Sequence, residues 1–302
     1  MHPNQVTISI STVRALIDTQ FSDWRDLALD QVHAGGTENA IFRIGTDLVA
    51  RFRLEAHDVD TTRAEVLAEL EVARELAGST RFATPEPVAL GEPGGDYPLP
   101  WSVQTWIDGD PATTGDLSQS EPFAEDLAEF IMQVRGIASG GRTYNGCGRG
   151  GDLASHDDWV RECISRSAGL MDVASLSQAW AQWRELPRGD SPDVMNHCDL
   201  MPGNVLVADG RLAGVLDVGG LAAADPALDL VGAWHLLDAG PREVLRRRLG
   251  VDDEQWRRGK AWAFEQAIGL VWYYLDSNPT MSRIGRTTLD RVLGDGELDQ
   301  AP

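Results

Sequence analysis

The sequence is poor in cysteine, in long apolar runs and in positive charge. Three cysteines stand among 302 residues: Cys147, Cys163 and Cys198. They are widely spaced and form no CxxC pair, which argues against a structural zinc site and fits reduced thiols in a cytoplasmic protein. No window approaches the roughly 18 consecutive apolar residues of a transmembrane helix. The opening MHPNQVTISI has no basic segment followed by an apolar one, so no signal peptide is expected. Lysine and arginine total 26 against 47 acids, a net charge of −21. Phosphate backbones and anionic lipid need a basic surface, so neither nucleic acid nor membrane is an expected partner. The same charge would draw in a cationic small molecule, and it serves solubility equally well.

What is present is an ordinary globular composition, 42% hydrophobic and 24% charged, long enough for two packed lobes or one large domain. There is no internal repeat and no low-complexity tract. The first hundred residues read as strands around one helix. Residues 31–44 place Gly35-Gly36 between short apolar runs, the pattern of a hairpin, and Leu48–Phe52 is a third strand. Val66, Leu67, Leu70, Ala73 and Leu76 recur at helical spacing within Thr61–Ala77. Trp101–Ile107 is a further strand, and Asp108-Gly109-Asp110-Pro111 is a turn that marks a lobe boundary. This divides the chain into 1–107 and 108–302. Beyond it, helices are expected over Pro122–Ile137, Asp157–Leu170, Ser175–Leu186, Arg242–Leu249 and Trp256–Leu275, with one short β segment among them.

That segment carries the chemistry. Asn204–Asp217 reads as a β-hairpin turning at Asp209-Gly210. If Ala208 pairs with Arg211, Asn204 pairs with Val215 and Asp217 lies diagonally across from it. An amide oxygen and a carboxylate at the open end of one hairpin can share Mg²⁺. Asp199 precedes Asn204 by five residues, in a loop containing Pro202 and Gly203, where a carboxylate can accept a hydroxyl proton. A base, a metal amide and a metal carboxylate in that order match the catalytic loop and metal-binding aspartate of protein kinases. His197 reads as a buried, hydrogen-bonded support, and Asp225 and Asp229 as structural, Asp229 as a cap for the helix after it.

The run NHCDLMPGNVLVADGRLAGVLDVGGLAAADPALDLVGAW resembles the signature of the aminoglycoside phosphotransferase family, within the kinase-like group that includes choline kinases. GGTENAIFRIGTDLVARF and PEPVALGEPGGDYPLPWSVQTWIDGD resemble its first lobe, so the likeness runs from about His33 to Leu275. It is similar to actinobacterial-type members. The resemblance implies an α+β, bilobal protein-kinase-like fold: an N-terminal nucleotide-binding lobe of antiparallel sheet plus helix, and a mostly helical C-terminal catalytic lobe, with ATP or GTP between them. It makes Asp199 the catalytic base and Asn204 and Asp217 the Mg²⁺ ligands. Gly35, Gly36 and Thr37 would cover the phosphates through backbone amides. Arg51 stands where kinases place a phosphate-binding lysine and can grip two oxygens. Its expected partner is Glu69, with Glu65 one turn earlier as the alternative. Gln104 would back the base pocket, and the backbones of Thr105 and Ile107 would hydrogen-bond the base. Trp101 and Trp106 read as packing residues. Cys198 stands where glycine is common, Met201 where histidine is common, and Val218 where an aromatic residue is common.

The acceptor is expected to be a small, cationic molecule. Candidate acids are Asp152, Asp157, Asp158 and Glu162 in one region and Glu265 and Asp276 in another. Most read as solvated helix faces, but Glu265 sits in the apolar run WAFEQAIGL. An aminoglycoside, with several ammonium groups, suits a carboxylate cluster. A macrolide suits a Trp- and Tyr-lined pocket. The alternatives are a metabolic kinase of a sugar or amino alcohol, and a silent pseudokinase, which intact Asp199, Asn204 and Asp217 oppose. A monomer or weak homodimer is expected.

Overall fold

The computed structural model describes residues 6–32, 39–55, 58–113 and 116–295. The chain forms two compact units. The first takes Met1–Gly78, Ala83–Asp108 and Gly214–Gly220, and the second takes Ser79–Phe82, Gly109–Ala213 and Leu221–Pro302. The first unit is an antiparallel sheet with helices and the second is mostly helical, an α+β architecture.

In the first unit the elements run α1 (Ile10–Gln20), β1 (Leu29–Val32), β2 (Asn39–Ile44), β3 (Leu48–Arg53), α2 (Val59–Leu76), β4 (Pro87–Gly91) and β5 (Trp101–Thr105). The sheet order is β1-β2-β3-β5-β4, antiparallel throughout. Phe42 lies opposite Ala50, and Ala50 opposite Val103, so these three share one face. Side chains alternate along a strand, so Phe52 joins that face while Arg51 and Arg53 take the other. The apolar face packs against Val13, Leu16 and Ile17 of α1. The helix α1 corrects the expectation of a single helix in this region. Its ISTV opening is rich in β-branched residues, which lowers helix propensity. The Ser9 hydroxyl, accepting the Thr12 amide at 3.1 Å, and the buried stripe outweigh that. β5 ends at Thr105, two residues short of its expected end.

In the second unit the elements run β6 (Asp110–Pro111), α3 (Glu121–Arg135), α4 (Asp157–Arg166), α5 (Val173–Trp183), β7 (Val194–Asn196), β8 (Val205–Ala208), β9 (Arg211–Val215), β10 (Ala222–Ala224), α6 (Val231–Leu236), α7 (Ala239–Leu249), α8 (Asp253–Tyr273) and α9 (Pro279–Gly294). The end of β9 crosses into the first unit. β6, β8 and β9 form one small sheet, and β7 pairs with β10. Asp209 and Gly210 between β8 and β9 both have positive φ, 51° and 74°, as a type I′ turn requires. α8 is buried almost all round between Trp256 and Ile268. Its charges are matched inside the core: Arg258 meets the Asp225 carboxylate and donates to the carbonyls of Leu186 and Gly151. The C-terminal helix α9 was not expected, because its apolar residues are sparse. It packs on α8 through Gly285, where an added Cβ would stand 2.9 Å from both the Ala267 carbonyl oxygen and Leu270 Cβ. Among the described residues no helix is long and apolar enough to cross a membrane.

Gly285→Ala is expected to push α9 off α8 and destabilise the protein by about 1–3 kcal/mol, the usual penalty for overpacking. A urea midpoint equal to wild type would show that the helices meet less closely.

Candidate active site

The loop after β7 is built around backbone hydrogen bonds. Cys198 has φ 72°, a left-handed conformation that a side chain disfavours, which accounts for the family's glycine at this place. The His197 and Cys198 amides donate to the two Asp229 carboxylate oxygens at 2.7 and 2.8 Å. Asp229 is therefore a clamp on this loop and not the expected cap; α6 has no side-chain cap. Burial pushes the Asp229 carboxyl above the usual carboxylate range, opposed by His197, by both amides and by Arg135. The His197 ring is buried, and its Nδ1 accepts the Asp199 amide at 3.3 Å. Burial pushes the Cys198 thiol up to about 12, so it is no nucleophile near neutral pH.

Asp199 and Asn204 hold each other. Asn204 Nδ2 donates to Asp199 Oδ2 at 2.8 Å and to the Asp199 carbonyl at 3.0 Å. The Met201 amide bonds the same carbonyl, and the Asn204 amide bonds the Met201 carbonyl. With its amide nitrogen so directed, Asn204 Oδ1 accepts no hydrogen bond among the described residues. That leaves an oxygen free for a hard cation. On its other oxygen Asp199 accepts Gln266 Nε2 at 2.5 Å, and Arg149 Nη2 stands 3.6 Å away.

Asp217 belongs to the first unit with Arg51 and Glu69. Its φ is 57°, a conformation that aspartate tolerates better than most residues. Arg51 Nη2 donates to Asp217 Oδ1 at 3.0 Å. The expected Arg51–Glu69 pair is not formed: Arg53, two residues on and on the same strand face, meets Glu69 instead. Glu65 is exposed. Gly219 lets the turn after Asp217 close on α2, since a Cβ there would lie 2.9 Å from Glu69 Cγ. Among the described residues no three acids, histidines or cysteines gather as a metal cage. The Asn204 amide oxygen is the kind of hard donor that Mg²⁺ accepts, and so, taken by itself, is the Asp217 carboxylate.

The other expected nucleotide residues divide. Gly35, Gly36 and Thr37 lie outside the described residues. Gln104 is buried on β5. The Thr105 amide is taken by the Glu86 carbonyl at 2.9 Å, which leaves only its carbonyl for a base. The Ile107 amide has no partner among the described residues. Trp106 donates to Asp108 and carries the Arg43 guanidinium over its ring at 4.3 Å, and Trp101 is core.

Of the six candidate acceptor acids, five are engaged elsewhere or exposed, Asp152 and Asp276 among the exposed. Asp157 is clasped by Arg184, Arg161 and the Trp180 indole, with Arg184 the main cause of its pKa falling to about 2. Asp158 is exposed, and Glu162 meets Arg166 at 2.5 Å. Glu265 is buried, with His156 Nδ1 2.9 Å from Oε1 and Arg149 Nη1 3.9 Å from Oε2. Oε2 has no hydrogen-bond partner among the described residues. The Glu265 carboxylate raises the pKa of His156. Glu265 precedes Gln266, so α8 presents both an acid and a contact to Asp199. Spacing alone marked neither Gln266 nor Arg149; the apolar setting that singled out Glu265 applies to its neighbour too.

A carboxylate held by an amide on a kinase-like fold defines a small-molecule kinase. The model of the phosphotransferase enzyme family matches residues 13–262, and the chain belongs to that family. No curated protein matches it significantly. Among solved structures it is similar to the GDP and kanamycin complex of APH(2")-IIia, at 18% identity over 94% of this chain and 99% of that one, with a TM-score of 0.69. It is similar to the GDP complex of aminoglycoside 2'-phosphotransferase-IIIa at 18% identity, over 95% and 99%, with a TM-score of 0.68. It also resembles macrolide 2'-phosphotransferase MphH from Brachybacterium faecium at 19% identity, over 91% and 97%, with a TM-score of 0.60.

His235, behind Gln266, is buried and its pKa falls to about 4, with burial the main cause. The unfolded chain takes that proton near 6.5. Acidification through this window therefore favours unfolding, by about 3 kcal/mol between its ends. Urea midpoints of wild type should fall from pH 7 to pH 4.5 more steeply than those of His235→Gln. Parallel curves would contradict a neutral buried ring.

Proposed function

We propose that the chain transfers the γ-phosphoryl group of ATP or GTP, with Mg²⁺, to a hydroxyl of an aminoglycoside-type antibiotic. The observation that carries the reaction is Asp199, a carboxylate bonded at both oxygens with lone pairs left to accept a hydroxyl proton. When bound, Mg²⁺ would neutralise charge on the transferred phosphoryl group. Asn204 and Asp217 would hold it, the first through its free amide oxygen. Arg51 would bind phosphate, with Gly35, Gly36 and Thr37 over it. Arg53 and Glu69 would fix the strand on which Arg51 sits. Gln104, the Thr105 carbonyl and the Ile107 amide would meet the base. We assign 1–107 to nucleotide binding and 108–302 to catalysis and acceptor binding. The proposed setting is the cytoplasm, as a monomer or weak homodimer without nucleic-acid or membrane partners, and the proposed consequence is antibiotic resistance.

The buried, unsatisfied Oε2 of Glu265 supports an ammonium-bearing acceptor. One solved structure to which the chain is similar is named as a GDP and kanamycin complex, which supports that reading. Arg149 favours a second one. Its guanidinium beside Asp199 and Glu265 offsets part of the negative charge, which suits an acceptor with a single amine, such as a macrolide, or a neutral sugar.

Purified protein is expected to consume ATP or GTP in the presence of kanamycin or gentamicin and to release a singly phosphorylated product. Turnover only with erythromycin, choline or a simple sugar would move the assignment to the second reading. Asp199→Asn is expected to lower kcat by about 10²–10⁴, the range of general-base catalysis. Wild-type turnover in that variant would remove Asp199 as the base.

A further inference from the structure

A polar chain leads from Asp199 into the helical core. Gln266 Nε2 lies 2.5 Å from Asp199 Oδ1, and Gln266 Oε1 lies 3.1 Å from His235 Nε2. His235 Nδ1 lies 2.9 Å from Thr288 Oγ1. Its three members come from α8, α6 and α9, and all are buried, at 8%, 4% and 0% exposure.

Only one arrangement of protons satisfies these contacts. An ionised carboxylate accepts and cannot donate, so Gln266 turns its NH₂ toward Asp199 and its carbonyl toward His235. His235 then carries its proton on Nε2, and Nδ1 accepts the Thr288 hydroxyl. Turning the Gln266 amide would set oxygen against the carboxylate; moving the imidazole proton to Nδ1 would leave Gln266 Oε1 facing a bare nitrogen. Burial keeps the ring neutral down to about pH 4, so it stays in this state at neutral pH.

We propose that Gln266, His235 and Thr288 are positioning residues for phosphoryl transfer: they lock the Asp199 carboxylate in the orientation that accepts the acceptor hydroxyl proton. The inference rests on the reading of Asp199 as the base. Asp199 stands on a loop, and the chain ties its Oδ1 to three packed helices while Asn204 ties its Oδ2. Each oxygen keeps a lone pair for the incoming proton. A misplacement near 1 Å at a reacting group lowers rate by roughly 10²-fold, so such tethering acts on rate and leaves substrate binding in place.

The test is steady-state turnover of MgATP and MgGTP with kanamycin, with erythromycin and with water alone as acceptor, alongside melting temperatures. Gln266→Met keeps the volume and removes the donor; it is expected to lower kcat about 10- to 100-fold with each KM within about twofold of wild type. Thr288→Val is expected to lower kcat about threefold to tenfold, whereas Thr288→Ser, which keeps the hydroxyl, restores it. D199N and the double variant D199N/Q266M are expected to be equally slow, because Gln266 acts through Asp199. Histidine ¹⁵N spectra of wild type are expected to show the Nε2–H tautomer at His235. Wild-type kcat in Gln266→Met, a further loss in the double variant, or an Nδ1–H tautomer would each overturn the proposal. Full turnover in D199N, or none in wild type with any acceptor, would instead overturn the reading of the base or of the reaction.

Discussion

The Asp229 carboxylate holds the His197 and Cys198 amides, and the site loop hangs from that contact. A buried carboxylate is strongly disfavoured unless donors surround it, and two amides in an irregular loop are disfavoured without acceptors. Each requirement answers the other. The contact also fixes the backbone on both sides of Cys198, which holds a left-handed conformation that a non-glycine residue would otherwise avoid. Asp199 follows directly, so the direction of its side chain descends from a carboxylate thirty residues later in the chain.

Charge is distributed in a way the net value conceals. The chain carries −21, yet the proposed chemical groups are accompanied by arginines: Arg51 at Asp217, Arg53 at Glu69, Arg149 at Asp199 and Glu265. Close partners outweigh a diffuse surface charge that salt screens. The global acidity therefore bears on solubility and encounter, while the local balance at Glu265 bears on the proposed choice of acceptor. Asp157 illustrates the distinction. It looked suited to an acceptor amine, but two arginines and an indole already satisfy it.

Much was legible before the structure. The Asp209-Gly210 turn, β1, β2, β3 and β5, α2 and α8 all follow from period and turn chemistry, with ends shifted by up to three residues, whereas β4, which opens on Pro87, was not expected. α1 and α9 were not legible: one is β-branched at its start, the other has few apolar residues, and both gain their stability from packing. The pairing of Arg51 was misjudged because strand alternation puts Arg51 and Arg53 on the same face, and spacing cannot say which of two like residues reaches α2.

The order Asp199, Asn204, Asp217 and the turn chemistry around it were determined by sequence alone, because bonding along a loop and across a hairpin depends on near neighbours. The Gln266–His235–Thr288 chain, the Asp229 clamp and the recruitment of Gly214–Gly220 into the first unit were decided only by tertiary structure. Those contacts join residues tens of positions apart on separate elements. A polar residue at such a place looks like any helical glutamine or threonine until packing removes water and leaves it one partner.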